Sequence, residues 1–131
     1  MQGRLSPSEV EIMKAVWAEG APTVKEVLEL INRQRAEPVT RNTVLKQMQR
    51  LTEKGWLQPQ EEKRPLRYEA LVDQETASAS MTEAFTQSVF DGSPLSLVRC
   101  LIEGGRLKPG EMESLRELID ASGSKKGGRR S

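Results

Sequence analysis

The chain contains no histidine and a single cysteine, Cys100, among its 131 residues. One cysteine cannot form an internal disulfide, and without histidine or a cysteine cluster there is no convincing transition-metal site. The Ser/His and Cys/His pairs of nucleophilic catalysis and a glycine-rich phosphate-binding loop are also missing. Cys100 lies in an apolar run between Leu97 and Ile102 and is interpreted as a packing residue. The sequence therefore predicts no cofactor, no metal site and no enzyme activity.

Large apolar segments are scarce as well. Aromatic residues make up 4% and apolar residues 36% of the chain, so we expect a modest core that a partner subunit completes. No apolar run approaches the roughly 20 residues needed to span a bilayer, and the N-terminus lacks the apolar region of a signal peptide. These absences predict a soluble cytoplasmic protein, and the length suits one average domain or a small domain with an appendage.

Charge is distributed unevenly along a chain whose formal net charge is +1. Residues 38–67 carry seven Lys/Arg and three Glu, a net charge of +4. Residues 73–120 carry four Lys/Arg and nine Asp/Glu, a net charge of −5, which would keep that part away from DNA. The two parts are therefore expected to have different tasks.

Three helix starts occur in the first 55 residues. Ser6 with Glu9, and Thr23 with Glu26, have the spacing of a capping box. Thr40 is a third plausible cap, for a helix within the basic segment of residues 38–67. The predicted helices run from about Pro7 to Ala18, from the Thr23 cap to near Arg33, and from the Thr40 cap to a stop at Gly55.

The third of these helices has two different faces. Val44, Met48 and Leu51 recur at i, i+4 and i+7, which predicts a buried stripe. The other side is polar and basic, with side chains suited to phosphates, guanine and adenine. An ordinary solvated helix face is the alternative, but a second helix just before it completes a helix-turn-helix pattern. The predicted recognition residues are Arg41, mainly on phosphate, and Asn42, Thr43, Lys46, Gln49 and Arg50 in the major groove.

A short two-stranded ribbon is predicted after Gly55. Residues 56–58 and 66–70 read as strands around a turn that is bounded by Pro59 and Pro65, which suit the edge of a ribbon. The turn is basic, and a ribbon after three helices is the wing of a winged helix. We predict phosphate contacts from Lys63, Arg64 and Arg67, the alternative being a solvated hairpin.

The C-terminal part reads as three short amphipathic helices, which start after Asp73, at Ser93-Pro94 and at Pro109. Three such helices alone cannot bury all their apolar faces against one another. We therefore expect a second copy of the chain, related by two-fold symmetry, to cover these faces. The predicted dimerisation residues are Met81, Phe85, Leu97, Val98, Leu101, Ile102, Met112, Leu115 and Ile119.

The predicted fold class is mainly α with a small β wing. Residues 1–72 form a winged helix-turn-helix DNA-binding domain, and residues 73–121 form a helical dimerisation domain. Residues 122–131 have no apolar side chain and four positive charges, which predicts a disordered basic tail.

Specific segments resemble the BlaI/MecI family of penicillinase repressors. They are the start Leu5-Ser-Pro-Ser-Glu-Val-Glu-Ile-Met with Ala15-Val-Trp, the run Thr40-Arg-Asn-Thr-Val-Leu-Lys-Gln-Met-Gln-Arg-Leu-Thr-Glu-Lys-Gly-Trp-Leu, and the strand with Arg67-Tyr68. The resemblance covers about residues 4–120. It implies a dimeric winged-helix repressor that binds an inverted-repeat operator, often with TACA/TGTA half-sites. It also implies a membrane-bound metalloprotease sensor that triggers cleavage of the repressor.

Two features depart from the family pattern. The position of the family's usual cleaved Asn-Phe pair is occupied by Cys100-Leu101, which argues against induction by that protease. The paired C-terminal cysteines of the copper-responsive branch are absent, which argues against copper sensing.

These observations predict a sequence-specific DNA-binding transcriptional repressor that acts as a homodimer on an inverted-repeat operator. A winged-helix adaptor that binds an acidic protein partner, without specific DNA binding, is the alternative. An enzyme is disfavoured, since the acid pair Glu61-Glu62 lies in a predicted exposed turn without a partner base. Neither the operator sequence nor the regulated genes and inducing signal follow from the sequence.

Overall fold

The computed structural model describes the backbone of residues 4–129 and the side chains of residues 4–123. The chain divides into two compact units, an N-terminal unit that ends at Ser80 and a C-terminal unit that begins at Met81. The division lies inside a helix, whereas the sequence predicts a boundary between residues 72 and 73. The elements are α1 Pro7–Glu19, α2 Val24–Arg33, α3 Arg41–Glu53, β1 Leu57–Gln60, β2 Arg67–Ala70, α4 Gln74–Phe90, α5 Pro94–Glu103 and α6 Pro109–Arg129.

Local capping explains where the first two helices begin. The Ser6 hydroxyl accepts from the Glu9 amide at 3.3 Å, and the Glu9 carboxylate accepts from the Ser6 amide at 2.9 Å. Thr23 and Glu26 form the same reciprocal pair, at 3.1 and 3.0 Å. Both predicted capping boxes are therefore present, and each satisfies backbone donors that a helix start leaves open.

Helix α3 lies at the centre of the core of the N-terminal unit. Val44, Met48 and Leu51 are fully buried, so the predicted i, i+4, i+7 stripe faces inward. It contacts α1, α2 and β1. The buried partners on those elements include Ile12, Met13, Val16, Val27, Ile31 and Leu57. This packing fixes α3 and leaves its opposite side towards solvent.

Strands β1 and β2 pair antiparallel as a two-stranded sheet. The sequence predicts that Pro59 belongs to the turn, but it lies within β1 and pairs with Tyr68. The side of β1 away from β2 is a free edge, so a missing N–H of Pro59 on that side removes no bond of the sheet. The turn that remains, residues 61–66, is correspondingly shorter.

The wing is anchored to the segment just before α2, a contact that the sequence does not predict. The Tyr68 amide donates to the Pro22 carbonyl at 3.0 Å, and Thr23 forms an isolated antiparallel bridge with Arg67. A third extended segment thus borders β2 on the side away from β1. The position of the wing relative to α2 is fixed by backbone bonds.

A charge pair joins the start of α1 to the end of α3. The Lys54 ammonium lies 2.7 Å from the Glu9 carboxylate and donates to the Arg4 carbonyl, also at 2.7 Å. Glu9 is only 2% exposed. Burial raises its pKa, but the hydrogen bonds and charge of Lys54 and the Ser6 amide outweigh burial and leave the pKa of Glu9 below its ordinary value. The pair therefore stabilises the fold with Glu9 ionised.

The depressed pKa of Glu9 predicts how stability changes in acid. Its contribution is fully present above a pH of about 4.5, the unfolded value, and is lost as the pH falls through the lower folded value. We expect Glu9→Gln to lower the free energy of unfolding by about 1.5–3 kcal/mol at pH 7, because Lys54 loses its charged partner. Urea titrations of both proteins between pH 7 and pH 3 should show this difference shrinking in acid.

Glu11→Gln is the matched control for this experiment. Glu11 pairs with Arg35 at 3.0 Å, but both side chains are 37% exposed. Exposed ion pairs contribute about 0–1 kcal/mol, so this variant should be close to the parent protein. Equal losses in the two variants would show that the buried pair has no special role.

The C-terminal unit differs from the N-terminal one in its burial. Within residues 81–123, where side chains are described, no apolar side chain is buried. None of the nine predicted dimerisation residues is buried in the monomer, and Phe85 and Ile119 are 50% and 59% exposed. Leu95 and Leu118, which are not among those nine, are exposed by 66% and 67%.

Helix α6 continues to Arg129, so the backbone of residues 122–129 is helical where the sequence predicts an irregular tail. Each residue added to an existing helix gains a hydrogen bond without a new nucleation cost. This gain favours continuing α6 into the tail, although the tail is polar. The last two residues of the predicted tail lie outside the described residues. Across residues 4–129, no helix is both long and apolar enough to cross a membrane.

Candidate nucleic-acid interface

The outer face of α3 presents all six predicted recognition residues to solvent. Arg41, Asn42, Thr43, Lys46, Gln49 and Arg50 are all exposed. They share α3 with the fully buried Val44, Met48 and Leu51, so helical periodicity alone separates the two sets. The structure thus brings three cations and two amides together on one rigid, accessible helix surface.

Side chains at the edges of this face hold α3 in place. The Gln47 amide donates to the Ser8 hydroxyl of α1 at 3.1 Å. The Thr40 hydroxyl accepts from the Thr43 amide at 3.2 Å and donates to the Thr43 hydroxyl at 3.0 Å. Thr43 is therefore partly engaged in capping α3, and its hydroxyl is less free to bind a ligand than the amide of Asn42 or Gln49.

The connection between α2 and α3 is closed by one residue that the sequence analysis missed. The Asn32 side chain donates to the Val39 carbonyl at 3.1 Å and accepts from the Val39 amide at 2.9 Å. This two-bond clamp fixes the ends of residues 33–38 and so sets where α3 starts. Asparagine near a helix end often bonds to nearby backbone, but the partner seven residues away is not visible in a sequence pattern.

The wing tip carries two exposed cations. Lys63 and Arg64 lie in the turn between β1 and β2 and are exposed. One guanidinium nitrogen of Arg64 donates to the carbonyls of Glu61 and Lys63, at 2.5 and 2.6 Å. A guanidinium has five N–H donors, so Arg64 stabilises the turn and retains donors that point to solvent.

Arg67 has a different environment from the other two wing residues. Its guanidinium donates to the Ala21 carbonyl at 2.9 Å and pairs with Glu26 at 3.2 Å. These contacts lie at the base of the wing and connect β2 to the start of α2. The structure thus gives Arg67 a positioning role, whereas its predicted phosphate contact is a separate hypothesis.

Few features of the described chain suggest reaction chemistry. Among residues 4–123, no group of three or more His, Cys, Asp or Glu side chains could hold a metal ion. Glu61 and Glu62 are exposed in the wing turn. The notable geometry of the N-terminal unit is the exposed polar face of α3 beside a basic wing.

Three helices, the second and third joined by a clamped turn, followed by a two-stranded wing define a winged helix-turn-helix protein. The chain belongs to the penicillinase repressor family, whose model matches residues 5–121. It is therefore a transcriptional repressor, and the prediction of a regulatory protein that is not an enzyme agrees with the family. The resemblance read from the sequence is confirmed.

Individual relatives align over most of their length. The methicillin resistance regulatory protein MecI of Mammaliicoccus sciuri is 26% identical over 117 residues, which cover 88% of this chain and 93% of the relative. MecI of Staphylococcus aureus strain N315 has the same identity and coverage. The penicillinase repressor of Bacillus licheniformis is 26% identical over 124 residues, 94% of each chain.

Proposed function

We propose that this repressor binds DNA sequence-specifically, as a homodimer on an inverted-repeat operator. The observation that carries the proposal is the exposed face of α3, where Lys46, Gln49 and Arg50 stand beside Asn42 on a helix whose other side is buried. An α-helix fits the major groove of B-DNA, where these side-chain types distinguish bases.

The six recognition residues divide into two roles. Asn42, Lys46, Gln49 and Arg50 read base edges in the major groove, and Thr43 makes a shorter contact from beside the cap. Arg41 lies in the first turn of α3 and binds backbone phosphate. Phosphate contacts set the register of the helix, while base contacts supply specificity.

The wing contributes phosphate contacts from its tip. Lys63 and Arg64 are exposed and carry no carboxylate partner among the described salt bridges. Arg67 supports the wing through Ala21 and Glu26, and a phosphate contact from it would have to compete with that carboxylate. We therefore place Lys63 and Arg64 ahead of Arg67 as phosphate ligands.

The homodimer is supported by the apolar surface of the C-terminal unit. Every apolar side chain described in residues 81–123 is at least partly exposed. This leaves hydrophobic surface in water, which a second copy of the same unit can cover. Two-fold symmetry makes such a contact self-complementary. A two-fold dimer places two recognition helices on DNA in opposite directions, which matches an inverted repeat.

The proposed cellular location follows from the proposed binding to a DNA operator. A repressor that binds DNA operators acts in the cytoplasm, which is the location that the sequence predicts. Cleavage by a membrane-bound metalloprotease sensor stays a prediction of the family resemblance. Cys100 and Leu101 lie inside α5, so that peptide bond would become accessible to a protease only if the helix unwound.

Fluorescence-anisotropy titration tests the proposal directly. Labelled duplexes with a TACA/TGTA palindrome and with a scrambled sequence are titrated at two salt concentrations. Specific binding predicts a preference of about a thousandfold or more for the palindrome, with affinity that falls steeply as salt rises. If both duplexes bind weakly and equally, selection of bound fragments from random DNA decides between a different operator and the protein-binding adaptor. An empty selection would reject the DNA-binding function.

A further inference from the structure

Helix α3 carries one acidic side chain on its otherwise polar and basic outer face. Glu53 is the only Asp or Glu in α3, and it is exposed. It continues the line of Asn42, Lys46 and Gln49 along the helix, which is about 16 Å long at 1.5 Å per residue. The fully buried Val44 precedes Glu53 by about two and a half turns. Glu53 therefore lies on the side of α3 opposite the core.

The two cations nearest to Glu53 in sequence do not pair with its carboxylate. The ammonium of Lys54 lies 2.7 Å from Glu9 and donates to the Arg4 carbonyl at 2.7 Å, so it is engaged at the start of α1. Arg50 lies one turn earlier on α3, but no salt bridge among the described side chains joins it to Glu53. The structure thus leaves a carboxylate without a cation partner in line with the proposed recognition residues.

An ionised carboxylate distinguishes the bases because it accepts hydrogen bonds and cannot donate them. In the major groove guanine presents two acceptors, and thymine presents one acceptor and a methyl group. Adenine presents a donor beside an acceptor, whereas cytosine presents its amino donor alone. A carboxylate is therefore attracted by cytosine and repelled by the acceptors of the other three bases. Where no donor faces it, its charge penalises the complex.

We propose that Glu53 is a specificity-determining residue that accepts a hydrogen bond from the amino group of one cytosine in each operator half-site. This inference rests on the proposed DNA-binding function. The cations of α3 are attracted to the phosphates of any duplex, whereas Glu53 penalises duplexes that lack a C·G pair at its position. Replacing that pair in one half-site should lower affinity by about five- to a hundredfold.

Selection of bound fragments from random DNA identifies the position that Glu53 reads. The parent protein is compared with Glu53→Ala and Glu53→Gln. We expect the parent motif to contain a C·G pair in each half-site that Glu53→Ala no longer selects, with the other positions unchanged. A glutamine amide can form paired bonds with adenine, so Glu53→Gln should shift the same position towards A·T. One and the same motif from all three proteins would overturn the proposal.

Glu19→Ala is the matched control, because Glu19 is the exposed last residue of α1 as Glu53 is of α3. Both substitutions remove one negative charge from a helix end. Anisotropy titrations use the selected operator and a copy in which the C·G pair of one half-site is replaced. The parent and Glu19→Ala should lose about tenfold or more on the altered copy, and Glu53→Ala less than about threefold. If Glu53→Ala raises affinity for both duplexes by the same factor, Glu53 acts by repulsion alone and the reading role is rejected.

Urea titrations of the same variants separate a base contact from a structural role. The negative end of the helix dipole disfavours an anion, so Glu53→Ala and Glu19→Ala should unfold at the same urea concentration as the parent or at a slightly higher one. A clear loss of stability in Glu53→Ala alone would assign Glu53 to the fold and reject the proposal. A parent protein without any sequence preference would reject the proposed function and this inference together. A parent motif that survives intact in Glu53→Ala would reject this inference alone.

Discussion

Ile119→Lys is expected to separate the proposed dimer and to weaken operator binding by about 10²- to 10⁴-fold. Full burial of an isoleucine contributes about 1.5–3 kcal/mol, and two-fold symmetry places the substitution in the interface twice, so about 3–6 kcal/mol is lost. Ile119 is 59% exposed in the monomer, so the folded chain should tolerate lysine. Sedimentation velocity gives the association state, and anisotropy gives the operator affinity of the same samples.

Glu117→Lys is the matched control on the same helix. Glu117 is exposed and polar, and its replacement raises the net charge more than Ile119→Lys does. Both variants should gain nonspecific attraction to DNA, so a loss confined to Ile119→Lys must come from its apolar contact. A dimeric Ile119→Lys protein with unchanged affinity would place the interface on another surface.

The second large effect that we expect comes from removing one of the side chains of α3 that we propose to read bases. Lys46→Ala and Arg50→Ala should each cost about 1–3 kcal/mol per half-site, and hence about 2–6 kcal/mol on a palindrome, and each should relax specificity at one operator position. Both residues are exposed, so the fold should be unaffected. Titration against operators substituted at each position measures both effects, and unchanged affinity in both variants would refute the assignment of α3 as the recognition helix.

Lys63→Ala in the wing provides the contrasting case. A phosphate contact carries no sequence information, so its loss should weaken all duplexes alike and lower the slope of log affinity against log salt by about one per contact. Base-specific losses in Lys63→Ala would mean that the wing reads sequence. The two classes of variant thus separate specificity from electrostatic attraction.

Much of the N-terminal unit could be predicted because its signals are local. The spacing of Ser6 with Glu9, and of Thr23 with Glu26, is sufficient for a capping box. The buried stripe of α3 follows from a period of 3.6 residues. Predicted and observed ends of α1 differ by one residue, at Ala18 and Glu19, because the final turn depends on small differences in bonding.

The contacts that the sequence analysis missed join residues far apart in the chain. Lys54 is recognisable as a cation near the end of α3, but its partner Glu9 lies 45 residues earlier. Arg67 belongs to a basic segment, yet it bonds to Ala21 and Glu26. Charge and residue type identify a side chain's chemistry, while its partner depends on how the elements pack.

The sequence by itself determined the helices, the polar face of α3 and the concentration of positive charge, because periodicity, caps and composition act within a few residues. Only the tertiary structure decided that Asn32 clamps the turn before α3, that Thr23 borders the wing and that Trp17 holds the Val72 carbonyl. These bonds form between elements whose meeting depends on the burial of apolar surface across the whole unit. A pattern along the sequence does not show which distant residues come into contact.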